Sequence, residues 1–451
     1  MAQVRTMRMP TLSIDRFRKR PEKASFDAHP PLDDRERFVV RTVTWGYALI
    51  TATQKVALLL FPGTALQIAL LLTMGLIGIL CWRGGMGIDV RKAMLYLAFG
   101  AAAGVTALAN NITATTLPSM LFVYAVYSIF IFSVPLSKGA YGKILDNIVL
   151  LGAIAAGLVY MDWAVQLVGM EMPSMHSILP EQFRFFNYIY IQPIEWGSPW
   201  YKPNGYFFLE TSFVSQFTAT ALVIEICRRQ RLLYLAVTAS GLLLSFGGTG
   251  LALLALSLPV VFFYVRPRLL LIGIMMLPLL FGVALKAGLV DNIETRTGEF
   301  SQEGKSGNQR FTKQGEVIAA TLMGPTREAL VGIGPGRMPQ RLNLLWIPAT
   351  KVLVEYGLFV SVLFWVFYFY SIFGRGVPIF ASWVVAMQYL FLNGSFLVPL
   401  LSVICVIIAG MYRIEDPEKV ASAASRRRAP TRLRRPIRRP ADAAPAAETP
   451  G

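Results

Sequence analysis

Charge is scarce in this chain of 451 residues: 15% are Asp, Glu, Lys or Arg, against 55% hydrophobic. That balance excludes an ordinary soluble domain. Cysteine is scarcer still, since Cys81, Cys227 and Cys405 lie beside or within apolar runs and show no CxxC spacing. Neither a disulfide framework nor a zinc site is expected. The two histidines, His29 and His176, are far apart in sequence, which leaves a His-rich metal centre without footing. No metal and no cofactor is expected. The first apolar run begins only after about 40 polar, basic residues, too late for a secretory signal peptide, so the N-terminus is expected to be retained.

What the chain has instead is long hydrophobic runs, each of roughly the 17 to 25 residues needed to cross a bilayer as helix. Helix is the spanning form expected, because backbone polar groups find no water in hydrocarbon. Twelve spans are read, at approximately 43–61, 64–82, 93–110, 117–136, 144–169, 207–226, 232–247, 249–265, 269–286, 351–373, 378–393 and 395–412. The short pairs around Gly247-Gly248-Thr249 and Asn393-Gly394 are each open to reading as one hairpin or a re-entrant element. The fold class expected is therefore all-α: a polytopic membrane protein with about 12 transmembrane helices. Its parts are a basic N-terminal segment (1–42), the bundle (43–412) and a basic tail (413–451).

Cations give the orientation. The first 42 residues hold 10 Lys and Arg, and alternate short connections hold more: Arg83, Arg91 and Lys92; Lys138 and Lys143; Arg228, Arg229 and Arg231; Arg266 and Arg268; Arg375. The loop ANNITATTLP at 109–118 holds none. By the positive-inside rule both termini are cytoplasmic. The tail, with RRR at 426–428 and RLRRPIRR at 432–439, lacks apolar periodicity and is expected to be disordered. It either attracts anionic lipid or simply retains topology. Because the net charge of +17 comes largely from cytoplasmic segments, no nucleic-acid partner is expected.

Two long loops, about 170–206 and 287–350, fall on the outer side, and long loops on a rigid scaffold tend to carry function. At the end of the first, KPNGYFFLETSFVSQF (202–217) sets a Pro-Asn-Gly turn before a span that carries Glu210. The helix expected next puts Ser212, Ser215, Gln216 and Thr220 along one stripe. Packing through small hydroxyl residues accounts for that stripe. It does not account for Glu210, and a carboxylate at membrane depth is a functional candidate; pairing with Lys202 or an outer arginine is the structural alternative.

In the second loop, near-helical apolar spacing over 312–323 is stopped by Gly324-Pro325, giving a short helix along the membrane surface. Then comes GIGPGR (332–337), whose Gly334 and Gly336 permit either a simple turn or an anion-binding nest. Arg310, Arg327, Arg337 and Arg341, with Lys305 and Lys313, give this loop a high basic content. Converging guanidinium groups suit a pyrophosphate, though the loop's acids offer them partners too. Lys351 and Glu355, four apart, share a helix face and can pair.

Together these stretches resemble the bacterial O-antigen polymerase and ligase superfamily of membrane glycosyltransferases, in particular exopolysaccharide polymerases. The resemblance rests on Asn204-Gly205 followed by FFLETSF, on SFGGTG at 245–250, and on Arg310, then GIGPG, then EYG. It covers about residues 200–360. It implies an all-helical inner-membrane bundle with two long periplasmic loops, acting on oligosaccharides carried by undecaprenyl pyrophosphate. Flippase and chain-length or export proteins would be its partners. It further implies pyrophosphate binding by Arg310, with Arg337 and Arg341 as further candidates. Lys202 stands where an arginine is common, and the His-Asn that ligases place before the final Glu-x-Gly is replaced by WIPATK; His176 in the other outer loop is the available substitute.

Glycan transfer from a lipid pyrophosphate needs cations for the leaving group and a base for the acceptor hydroxyl. Arginines can serve the first task without a metal. Glu210 is the expected base and Glu355 the second choice, with Lys202, Asn204, Gln216, Gly334 and Gly336 as candidate glycan or pyrophosphate contacts. The expected function is polymerisation of lipid-linked repeats. A ligase for a lipid or protein acceptor is the near alternative, and a transporter or flippase of lipid-linked sugars is the alternative of another class.

Overall fold

A computed structural model describes residues 31–61, 64–172, 174–185, 190–194, 197–267, 308–338, 346–392 and 396–415, with 271, 275 and 282 singly. Most of the expected ninth span (269–286), and the basic tail beyond Glu415, lie outside these residues. The described chain is mostly helical. Three helices are long and apolar enough to cross a membrane: α3 (Val90–Ala109), α5 (Lys138–Leu167) and α11 (Pro348–Phe373). Shorter apolar helices occupy Ile68–Arg83 (α2), Thr116–Ser128 (α4), Thr211–Cys227 (α6), Leu232–Leu244 (α7), Gly248–Tyr264 (α8), Ile379–Met387 (α12) and Pro399–Cys405 (α13). Between α8 and α11 run the short helices α9 (Lys313–Met323) and α10 (Thr326–Val331). The sequence sets where several of these helices start. Asp89 caps α3 through the amides of Arg91 and Lys92, and Ser137 caps α5 through that of Ala140, each satisfying donors that a helix start leaves free.

The first expected span is corrected. Its helix, α1, runs Asp34–Ala52, starting earlier than 43 and capped by Asp33. The rest of the apolar run turns into a hairpin, β1 (Ala57–Phe61) against β2 (Thr64–Gln67). Pro62-Gly63 between two short apolar runs is a turn signal that favours this outcome.

The architecture also holds a small sheet that an all-α reading omits. Strand β3 (Gly87–Ile88) pairs antiparallel with β4 (Phe132–Ser137), and β4 pairs parallel with β5 (Tyr412–Glu415). These extended connections leave helices at the same level and satisfy one another's backbone groups. Arg35 joins them, donating to the carbonyls of Gly84 at 2.8 Å and Pro135 at 2.7 Å. The described chain therefore begins and ends at this end of the bundle, and α3 and α5 both run from it to the opposite end.

The core is a continuous cluster across the helices, dense in aromatic pairs such as Phe99 with Phe364 and Tyr368 with Tyr389. The outward faces are apolar too. Leu97 and Val105 of α3 are each 65% exposed, an arrangement that water would punish and lipid covers.

Candidate functional site

The end opposite the sheet carries the KPNGYFF turn, and α5 holds that turn in place. Asp162 and Gln166, one helical turn apart, share a face. The Gln166 side chain accepts from the Tyr201 amide at 2.7 Å and donates to the Tyr201 carbonyl at 3.1 Å. Asp162 Oδ2 accepts from the amides of Asn204 at 3.0 Å and Gly205 at 2.8 Å. Both side chains are buried. Asn204 completes the turn: its Oδ1 accepts from the Tyr206 amide at 3.0 Å and its Nδ2 donates to the Tyr190 carbonyl at 2.7 Å.

A second prop comes from Lys55, in the turn beyond α1. Its fully buried amine donates to Ser174 Oγ and to the Tyr206 carbonyl, each at 2.7 Å, and lies 5.7 Å from the Tyr190 ring centroid. Burial pushes this amine down to about 7, against the opposing pull of the Asp162 charge. His176 stacks on Tyr190 at 4.9 Å and meets Ser174 Oγ through Nδ1 at 2.8 Å. Burial, then the charges of Lys55 and Arg184, hold its imidazole below the usual range.

This scaffold presents Glu210. The residue stands at the N-cap position of α6 in extended backbone, immediately before the helix rather than inside the span. It is half-buried, with Ser212 Oγ donating to Oε1 at 2.8 Å and Gln192 Nε2 3.5 Å from Oε2. A carboxylate at a helix N-terminus is favoured by the helix dipole, which answers how an acid is tolerated at this depth. Lys202 lies half-buried on the same turn, its amide donating to the Gln192 carbonyl at 2.8 Å. The stripe that follows packs tightly: Ser215 Oγ contacts Thr249 Oγ1 at 3.3 Å and accepts from the Gly250 amide at 3.1 Å. A Cβ on Gly250 would stand 2.4 Å from the Ser215 carbonyl oxygen, so SFGGTG permits a close crossing of α6 and α8. Gln216 is buried and its Oε1 accepts from Gln388 at 3.0 Å.

The second candidate cluster is built on a break in α11. Gly357 leaves the helix with φ 79°, and Gly332 faces it with φ 76°. A Cβ on either would stand within about 2.5 Å of backbone atoms of the other segment, Leu330 O for Gly357 and Glu355 O for Gly332. Thus EYG and GIGPG are two halves of one joint. The amides of Ile333 and Gly334 donate to the carbonyls of Val354 at 2.9 Å and Glu355 at 3.0 Å. Of the two readings left open for this loop, a turn or an anion nest, the anion it meets here is the chain's own carboxylate: Met338 N donates to Glu355 Oε1 at 3.3 Å. Glu355 is fully buried and pairs with Lys351 at 3.6 Å, its Oε2 having no hydrogen-bond partner among the described residues.

Arg337 is engaged as well. Its Nη2 donates to the carbonyls of Asn110 at 2.5 Å and Asn111 at 2.6 Å, while Arg327 donates to that of Ala109 at 2.8 Å. The two guanidinium groups serve the carbonyl end of α3, where cations are favoured.

The expected site residues therefore fall into two clusters at one end. Glu210, Lys202 and Asn204 share a turn; Glu355, Gly334, Gly336 and Arg337 share the joint. Asn204, Gln216, Gly334 and Arg337 each make hydrogen bonds within the protein itself. For Arg310 the backbone is described, within a π-type turn Asn308–Thr312 against the turn Gln388–Leu392 that follows α12; Arg341 lies outside the described residues. Sequence reading passed over Asp162, Lys55 and Gln166. Asp162 alone carried a signal, as the single acid in VYMDWAV, to which the rule that singled out Glu210 applies equally. No protein-family model matches the chain, and no curated protein and no solved structure matches it.

Proposed function

We propose that the protein is an inner-membrane polymerase that joins undecaprenyl-pyrophosphate-linked oligosaccharide repeats on the periplasmic side. In this reading the bundle has twelve spans with both termini cytoplasmic, and the KPNGYFF end faces the periplasm. The observation that carries it is Glu210: a half-buried carboxylate at a helix start, approached by hydroxyl and amide donors and set on a turn whose backbone is fixed from α5 and Lys55. Such an acid is suited to accept a proton from a sugar hydroxyl.

In the reaction the acceptor hydroxyl oxygen bonds to the anomeric carbon of the donor repeat, and its proton passes to Glu210. The bond from that carbon to the phosphate oxygen breaks, and the leaving undecaprenyl pyrophosphate keeps the electron pair. Arg310 is assigned to the leaving group, where a guanidinium fork matches phosphoryl oxygens. What supports this assignment is that its turn lies against the turn Gln388–Leu392, from which the Gln388 side chain reaches Gln216 on α6, the helix that starts after Glu210. Glu355 is the weaker candidate for the base, because it is fully enclosed and already paired.

The test is elongation by the purified full-length protein given lipid-linked repeats in detergent. Longer glycans are expected, and Glu210→Gln and Arg310→Ala are each expected to abolish them. Movement of the lipid-linked sugar across a sealed bilayer, with chain length unchanged, would make the protein a transporter instead.

A further inference from the structure

At the sheet end, the bundle's many cations divide into two sets. Arg229 and Arg231 are neutralised by Asp146 and Glu225, at 2.9 Å and 2.7 Å, and Arg375 by Asp89 at 2.6 Å. Arg41 on α1 and Lys143 on α5 are exposed and have no acidic partner among the described residues. Both line one groove, of about 370 Å³, between these two helices. Arg37 stands at the same mouth, holding Asp34 at 2.6 Å on its exposed outer side.

Below the cations the groove is apolar, floored by Trp45, Leu150 and Leu151. Trp45 is 68% exposed and Leu150 45%. The Asn147 amide donates to Thr44 Oγ1 at 2.8 Å across the groove, fixing the spacing of α1 and α5. The gradient runs from three cations at the rim to a tryptophan and two leucines inward, in a chain whose outer faces are apolar.

The geometry points to a binding site for one anionic phospholipid of the leaflet at the sheet end, its phosphate at Arg41 and Lys143 and the first methylenes of its acyl chains along Trp45, Leu150 and Leu151. The volume fits a glycerophosphate and the start of two chains, with the rest lying in the bilayer. Charge complementarity decides against the segment preceding the groove as its occupant: residues 1–30 hold seven Lys and Arg against three acids and would be repelled by the rim. A lipid with an anionic headgroup brings the missing charge, at about 1 kcal/mol per cation near the membrane surface.

The experiment uses the full chain in nanodiscs of phosphatidylcholine containing phosphatidylglycerol, released into a native mass spectrometer. The wild type is expected to keep one phosphatidylglycerol in preference to phosphatidylcholine. The double variant R41Q/K143Q is expected to lose that preference by roughly 30-fold, and L150W, which fills the floor and keeps the charges, to weaken it. R83Q/R91Q, which removes two cations from the same end outside the groove, is expected to keep it. Absence of preference in the wild type, or equal loss in both double variants, overturns the proposal, since general surface charge would then suffice. A photocrosslinker at position 45 that labels residues 1–30 instead of lipid overturns it equally; a lipid adduct supports it. Where R41Q/K143Q fails to fold, L150W and the crosslink decide.

Discussion

Asp162 Oδ2 accepts from the Gly205 amide at 2.8 Å, and through that bond a helix inside the bundle fixes the turn that presents Glu210. The same oxygen accepts from Asn204, so one carboxylate replaces water for two adjacent buried donors. Asp162→Ala strands both amides and is expected to lower stability by about 1 to 3 kcal/mol. Asp162→Asn keeps an acceptor oxygen and is expected to lose less. Thermal unfolding of the three proteins in one detergent checks the order; an Ala variant as stable as wild type would mean that the turn holds itself.

Glu210 and Glu355 separate by the kind of damage their amides cause. Glu210→Gln removes a proton acceptor from a half-buried, hydroxyl-lined position and is expected to cut elongation by about 10² to 10⁴-fold at an unchanged unfolding midpoint. Glu355→Gln leaves Lys351 enclosed without its carboxylate, and breaking a buried pair costs about 3 to 5 kcal/mol. Measuring midpoint and elongation on both variants settles the assignment. The reverse pattern would move the base to the glycine joint.

Gly332 and Gly357 face each other with positive φ and no room for a Cβ. Alanine at either is expected to cost at least about 2 kcal/mol, from left-handed strain plus a backbone clash, and to lower the amount of folded protein. Gly315→Ala, where a Cβ meets nothing within 4 Å, is the control. Unfolding midpoints for the three variants check this, and an intact Gly357→Ala protein would refute the joint.

Lys55 gives a pH signature. Its folded amine is pushed down to about 7, below the ordinary lysine range near 10.4, so between these values the unfolded chain binds one proton more. Stability therefore rises with pH from about 7 upward, while below 7 the cost of burying the ammonium is fully present. The neutral amine keeps two N–H donors for Ser174 and the Tyr206 carbonyl. His176 contributes a rise at lower pH, and Tyr190, raised by burial, a fall above about 10. Lys55→Met is expected to flatten the stability profile between pH 7 and 10; an unaltered slope would assign it to other groups.

Much of this molecule could be read from the chain. The apolar runs mark where α2 to α8 and α11 to α13 lie, because length and composition suffice to announce an apolar helix. The expected second span (64–82), however, opens in strand β2, and the fourth (117–136) is α4 only to Ser128 and strand β4 from Phe132. Gly324-Pro325 ends α9 at Met323 as expected, and Lys351 meets Glu355 because four residues make one turn. The hairpin at 57–67 was legible only in Pro62-Gly63, and the three-stranded sheet not at all, since its strands come from segments about 45 and 280 residues apart.

The sequence by itself determined that the chain is helical and apolar, and which side of the bundle collects cations, because those properties follow from local composition and the solvent a segment meets. Tertiary structure decided which polar groups are used up. Arg337 caps α3 and the glycine loop binds Glu355, whereas Glu210 stands half-buried beside Ser212 and Gln192. Asp162 and Lys55 take on their roles for the same reason: a buried charge is tolerated only with partners, and those partners arrive from more than 40 residues away, where no local pattern can announce them.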